Sequence, residues 1–304
     1  MDGRLVDLAR ARGGLLTVAE ADRLGVSPGV LHRLARAGDL VHVRRGVYAL
    51  AESWDAATDP DRYAMRTRAV LRTREGVAAG HHGALLLAGV PLDRVPEERI
   101  HVCDTTGTGQ RVRTKGPLSV HPRPVRSRVL LDALGDPYLD PASAVVLIAR
   151  DDGAVAAAAA LDQALRIRAV TVPDVERVLD THDDRHGWVR QFRVLLADAD
   201  PLSPAPAATR LRILLTDLGF RPRLRVPLRD SSGQFLTRPE LLIGTSVAVV
   251  RDAYPPQVVD RLREVGVVLA RIGPDESEHP ELVAAAVAAA LRELSALRTT
   301  RQAS

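Results

Sequence analysis

Cysteine is almost absent from these 304 residues. Cys103 stands alone, so no intrachain disulfide can form and zinc sites built from several cysteines are excluded. Lysine is as scarce: of 42 basic residues only Lys115 is lysine, and the rest are arginine. Arginine presents a planar fork that grips phosphate or guanine through two parallel hydrogen bonds, which lysine cannot copy. Aromatic residues make up 3%, so the cores must be built from Leu, Val and Ala. No apolar run approaches the roughly 20 residues needed to span a bilayer, and the alanine-rich stretch Ala154–Leu161 soon meets Asp162 and Arg166. Met1 to Arg10 is charged and has no apolar segment of signal-peptide length. These absences predict a soluble, cytoplasmic protein without membrane contact. A phosphate-binding glycine loop is missing too, because Gly107-Thr108-Gly109 lacks a third glycine and a lysine-serine ending. No Ser/His/Asp set can be picked out.

What remains is an ordinary globular composition, 46% hydrophobic and 26% charged, long enough for two or three domains. The net charge of +4 tilts mildly towards polyanionic partners. Composition and turn signals divide the chain at a polar stretch, Ala51–Pro60, and at a Pro/Ala-rich linker, Asp200–Ala208. Three domains are expected, at residues 1–52, 60–197 and 208–298, in an α+β arrangement. The middle one predicts a basic helix (Asp61–Arg74), an apolar helix (His81–Gly89), a strand (Arg99–Asp104) and four further helices up to Leu196. Arg62, Arg66, Arg68, Arg72 and Arg74 wrap around that basic helix, which leaves phosphate contact and a solvated surface both open. The last domain predicts a helix (Thr209–Leu218), strands at Arg221–Pro227, Phe235–Ile243, Ser246–Arg251 and Val267–Ile272, and helices at Pro256–Glu264 and Glu281–Leu297. The tail beyond Leu297 is expected to fray.

Leu15 to Ala49 carries the strongest local signals. Thr17-Val18-Ala19-Glu20 is a capping box, and the helix it opens ends at Leu24-Gly25, where glycine suits a left-handed cap. Ser27-Pro28 restarts a helix at once, serine as N-cap and proline at the first helical position. Two short helices joined by Gly25-Val26 make a helix-turn-helix. In the second, Val30, Leu31 and Leu34 form the inward face, while Gly29, His32, Arg33 and Arg36 recur at helical spacing on the other. Such a stripe suits the major groove, where arginine reads guanine. Val41-His42-Val43 and Val47-Tyr48-Ala49 then alternate as strands around Arg44-Arg45-Gly46, a hairpin whose arginines would meet phosphate or the minor groove. Residues 1–50 hold eight arginines against five acids. Ser27, Gly29, His32, Arg33, Arg36, Arg44 and Arg45 are therefore the expected contacts to double-stranded DNA. A helix-turn-helix turned to protein contact is the competing reading of the same face.

The run "LLTVAEADRLGVSPGVLHRLARAGDLVHVRRGVYAL" resembles the N-terminal winged helix of AbiEi-type antitoxins of type IV toxin–antitoxin systems. The resemblance continues more loosely through Tyr63–Leu196. It implies a transcriptional regulator that binds its own promoter, and an antitoxin that counters a nucleotidyltransferase-like toxin without stable contact. Ser203-Pro204, Thr209 to Leu215, Phe235–Leu242 and Val247-Ala248-Val249 resemble the small restriction-type endonucleases related to very-short-patch repair enzymes. In that fold a helix glutamate and acids on two adjacent strands hold the catalytic metal. Here the corresponding positions are Ala208, Glu240 and Val250, with Asp252 just beyond, and the basic stretch that normally follows is mostly missing before Val267. The expectation is an inactive nuclease-like tail, with a DNA endonuclease guided by its winged helix, or an interaction scaffold, as rivals. His81-His82 and His101-Val102-Cys103 offer metal donors, but no spaced ligand set supports them and Cys103 reads as core filling. No metal or other cofactor is expected, and the oligomeric state is left open.

Overall fold

The computed structural model describes residues 2–96, 99–109, 111–273 and 276–302. The fold is α+β, and its backbone contacts separate two units, Met1–Ala197 and Asp198–Ser304. The first unit holds both the helix-turn-helix and the middle segment.

Helix α1 (Gly3–Ala11) is capped by the Asp2 carboxylate, which accepts from the Arg4 amide at 2.9 Å. Strand β1 (Leu15–Thr17) runs straight into α2 (Val18–Arg23) through the predicted capping box. The Glu20 amide donates to Thr17 Oγ1 at 3.1 Å, and the Thr17 amide donates to Glu20 Oε2 at 2.8 Å. Gly25, at φ +78°, makes the tight exit that a residue with a Cβ would resist. Helix α3 (Pro28–Arg36) follows, but Ser27 departs from expectation: its backbone is extended as a cap requires, yet its hydroxyl accepts no helix amide. Strands β2 (Leu40–Arg44) and β3 (Val47–Leu50) close the hairpin, and β1 adds to it in the antiparallel order β1-β3-β2. Leu5, Ala9, Leu16, Ala21, Leu31, Leu40, Tyr48 and Leu50 form the core under the three helices, with Leu34 packed at its edge.

The sheet's other face buries Leu15, Val47 and Ala49 against Met65 and Ala69. Those two residues belong to α5 (Asp59–Leu71), reached through α4 (Ala51–Asp55), a helix inside the stretch expected to be a polar connection. Residues 1–52 therefore share apolar burial with the segment that follows them. The basic helix is not a solvated one. Arg68 is paired with Asp132 and Asp136, and Arg72 with Asp136, all four with mostly buried side chains. Arg62 lies over the Trp54 ring and donates to the Trp54 carbonyl at 3.0 Å.

Six strands build the next sheet: β4 (Val77–Ala79), β5 (Ile100–Asp104), β6 (Arg113–Lys115), β7 (Leu118–His121), β8 (Val129–Leu131) and β9 (Pro137–Leu139), in the order β6-β7-β5-β4-β9-β8. The pairs β5–β7 and β4–β9 are parallel and the others antiparallel. Helix α6 (His81–Leu87) leaves β4 through Gly80, where a Cβ would come within 3.1 Å of Cys103 Sγ. Helix α7 (Pro141–Asp151) is buried from Pro141 to Ala149. It packs on α8 (Ala154–Arg166), whose buried Ala157–Ala160 let the two backbones approach closely. Helices α9 (Val172–Leu179) and α10 (Gly187–Ala197) complete the unit. Each of Val145, Val146, Leu147 and Ile148 contributes roughly 1.5–3 kcal/mol by leaving water.

In the second unit, α11 (Pro206–Asp217) precedes β10 (Pro222–Leu224), β11 (Leu228–Arg229), β12 (Phe235–Thr237), β13 (Leu241–Ile243) and β14 (Val247–Val250). Then come α12 (Pro256–Glu264), β15 (Val268–Arg271), a short 3-10 turn and α13 (Pro280–Gln302). The sheet order is β10-β13-β14-β15, antiparallel except that α12 returns the chain to place β15 parallel to β14. Leu241, Val247 and Val249 face α11 and α13, while Leu242 and Ala248 face Leu262 of α12. Burial on both faces explains why these strands read as unbroken apolar runs. The strand expected at Phe235–Ile243 is divided, since Arg238-Pro239-Glu240 interrupts it and proline has no amide to give a ladder. The tail expected to fray beyond Leu297 continues as helix to Gln302, and residues 303–304 lie outside the described ones. Among the described residues, no helix is long and apolar enough to cross a membrane.

Candidate nucleic-acid interface and a buried histidine cluster

Helix α3 packs inward through Leu31, so the residues on its far side are left to solvent. Ser27, Gly29, His32, Arg33 and Arg36 are all exposed. The two arginines in its last turn also suit the helix's negative end, which keeps them compatible with a stable helix while free to reach outward. The other two expected contacts sit differently from each other. Arg45 is exposed at the turn, whereas Arg44 is half-buried. Burial first, and then the nearby charge of Arg74, lowers the pKa of Arg44. Arg44, Arg45, Arg66, Arg74 and Lys115 line a cavity of about 480 Å³ between the hairpin, α5 and the loop before β7, and no acidic residue shares that lining. Cationic side chains gathered along one cavity, with Arg44 half-buried among them, make an anion-receptive surface.

A second constellation was only half visible in the sequence, which offered His81 and His101 as donors but named neither His121 nor Asp151. His101 and His121 come from the neighbouring parallel strands β5 and β7, His81 is the first residue of α6, and Asp151 is the last of α7. His81 Nε2 lies 2.7 Å from Asp151 Oδ2, and His101 Nδ1 lies 2.8 Å from His121 Nε2. His121 Nδ1 stands 3.7 Å from the same Asp151 oxygen. Arg150 grips Asp151 with two bonds of 2.7 Å and reaches His121 Nδ1 at 3.3 Å. All three imidazoles are buried. Burial pushes His81 down to about 3 and His121 to about 4, and lowers His101, so the rings are neutral at pH 7. Burial alone would raise Asp151, but hydrogen bonds from Arg150 and His81 outweigh it and hold the carboxyl below the usual range. On one side the cluster opens to a cavity of about 530 Å³, where His101, His121, Asp151 and Asp152 meet Arg99 and Ser119. Cys103 lies on β5, paired in register with His121 of β7, as a buried thiol pushed up to about 12, mainly by burial. The partners are 20 to 70 residues apart and meet only through a parallel pairing and two helix ends, so no local spacing announces them.

Two short helices across a glycine turn, followed by an arginine-bearing hairpin, define a helix-turn-helix module with a cationic outer face. Residues 4–51 match the family described as "Transcriptional regulator, AbiEi antitoxin", so the match spans this module from α1 to β3. Among solved structures, the chain is similar to the RV2827C protein from Mycobacterium tuberculosis, at 21% identity and a TM-score of 0.39, over 68% of this chain and 78% of that one. No curated protein matches the chain.

Proposed function

We propose that residues 1–52 form a winged helix that binds double-stranded DNA sequence-specifically, and that the protein represses transcription from its own promoter as an antitoxin-like regulator. The observation that carries this reading is the outer face of α3, where His32, Arg33 and Arg36 stand exposed together opposite the buried Leu31. In the major groove, arginine takes guanine O6 and N7 in a bidentate contact, and Ser27 and His32 supply shorter contacts to base edges or phosphate. The family match over residues 4–51 supports the regulatory role. The cationic cavity beside the hairpin supports a backbone phosphate seated at Arg44 and Arg45. A nucleotidyltransferase-like toxin, countered without stable contact, is the functional partner this reading implies. The second unit is read as a nuclease-like fold without catalysis. Glu240, just before β13, is bound by Arg251 through contacts of 2.6, 3.0 and 3.1 Å, while Ala208 and Val250 are buried and apolar.

The test is binding of purified protein to its own upstream DNA and to scrambled DNA of equal length, across a salt series. Specific binding that exceeds scrambled binding by about a thousandfold or more is expected of a regulator. Equal affinity for both would reduce the module to a non-specific cationic surface, and no binding at all would favour protein contact.

A further inference from the structure

We propose that His81, His101, His121 and Asp151 form a binding site for a divalent transition metal of the zinc class. One donor atom from each of the four residues lies within 4.8 Å of all the others. Three imidazoles with one carboxylate are a donor set suited to zinc, which takes nitrogen and oxygen ligands in tetrahedral array. A tetrahedral ion with bonds near 2.0–2.1 Å holds its donors roughly 3.4 Å apart. The separations of 2.7 and 3.7 Å from Asp151 Oδ2 bracket that figure, so small side-chain rotations gather the set around an ion.

Two features independent of the donor count point the same way. His81 stands at φ +49°, a left-handed conformation that costs a bulky residue on the order of 1–3 kcal/mol. That strain accompanies a ring aimed inward from the start of α6, with Nε2 at Asp151. A histidine kept only as core filling would gain more from a relaxed backbone. Around the donors, Arg150 fixes both oxygens of Asp151, the kind of outer contact that orients a ligating carboxylate. The cavity flanked by Asp152, Arg99 and Ser119 gives the ion a path in and leaves one side of the site open.

The experiment uses the full chain without an affinity tag, stripped with a chelator and titrated with Zn2+ by calorimetry. One ion per chain is expected, with a rise in melting temperature on loading. His101→Ala/His121→Ala should weaken binding by at least about 100-fold, the upper range for losing an outer-shell partner alone. Circular dichroism of the metal-free proteins checks that the variant folds. Should it not fold, Co2+ added to the wild type decides the matter, because a tetrahedral nitrogen-rich site gives strong visible absorption bands. No stoichiometric Zn2+, no Co2+ bands, or undiminished affinity in a folded double variant would each overturn the site.

Discussion

At the scale of single residues, the weight of the DNA-binding reading falls on side chains that take no part in the core. Arg33 and Arg36 point away from the core that Leu31 and Leu5 build, so truncating them leaves packing untouched. Replacing each by alanine should weaken binding to the specific site by about 1–3 kcal/mol per lost base contact, with little change on random DNA. Parallel anisotropy titrations on the two DNAs measure this. If both lose affinity equally, these arginines touch phosphate alone. Cys103 provides a contrasting residue, fully buried and with its thiol pushed up to about 12. Because the thiolate is the reactive form, native protein should resist alkylation by iodoacetamide at pH 8 and react once denatured. Rapid labelling of the native state would show that β5 opens far more readily than its burial implies.

Elements carry the next level of meaning, and the hairpin shows why residue labels alone mislead. Arg44 and Arg45 are adjacent in sequence, yet β2 bends at an irregularity between His42 and Arg44 and leaves one half-buried and the other exposed. Removing both should lower affinity across all sequences and flatten the salt dependence, since each neutralised phosphate adds roughly 0.9 to the slope of log K against log salt. An unchanged slope in the double variant would take the hairpin off the DNA. The module holding these residues was legible because its signals are local: a capping box at Thr17, a glycine stop at Gly25, proline at the start of α3 and alternation in β2 and β3. The six-stranded sheet was mostly not legible. Apart from β5 and β7, its strands are three residues long, too short for period-two alternation to show, and Arg113-Thr114-Lys115 is wholly exposed. Arg68 and Arg72 looked like surface charge because their partners Asp132 and Asp136 arrive from more than 60 residues away. The sequence offered His81 and His101 as donors but no complete ligand set, because long-range pairing and not spacing brings His121 and Asp151 to them.

For the whole molecule, the decisive question is whether the chain only binds DNA or also cuts it. The second unit joins a helix, three antiparallel strands and a parallel fourth through α12, and buries the sheet on both faces. Hydrolysis by such a scaffold would require several carboxylates converging on a metal ion that activates water. Water bound to no metal stays protonated at neutral pH, which leaves no hydroxide nucleophile. At the positions the sequence comparison marks, Ala208 and Val250 offer no oxygen ligand, and Asp252 is exposed beyond the strand. Glu240 is paired with Arg251, and among the described residues it belongs to no group of three or more donors close enough to hold a metal ion. The purified protein should therefore leave supercoiled plasmid intact with magnesium or manganese, and Glu240→Ala should bind the promoter DNA as the wild type does. A proposed metal at His81, His101, His121 and Asp151 complicates that assay, so the decisive comparison is between variants. Cleavage lost in Glu240→Ala but kept in His101→Ala/His121→Ala would assign nuclease activity to the second unit and overturn the binding-only reading. Cleavage lost only in the histidine variant would place hydrolytic chemistry in the first unit.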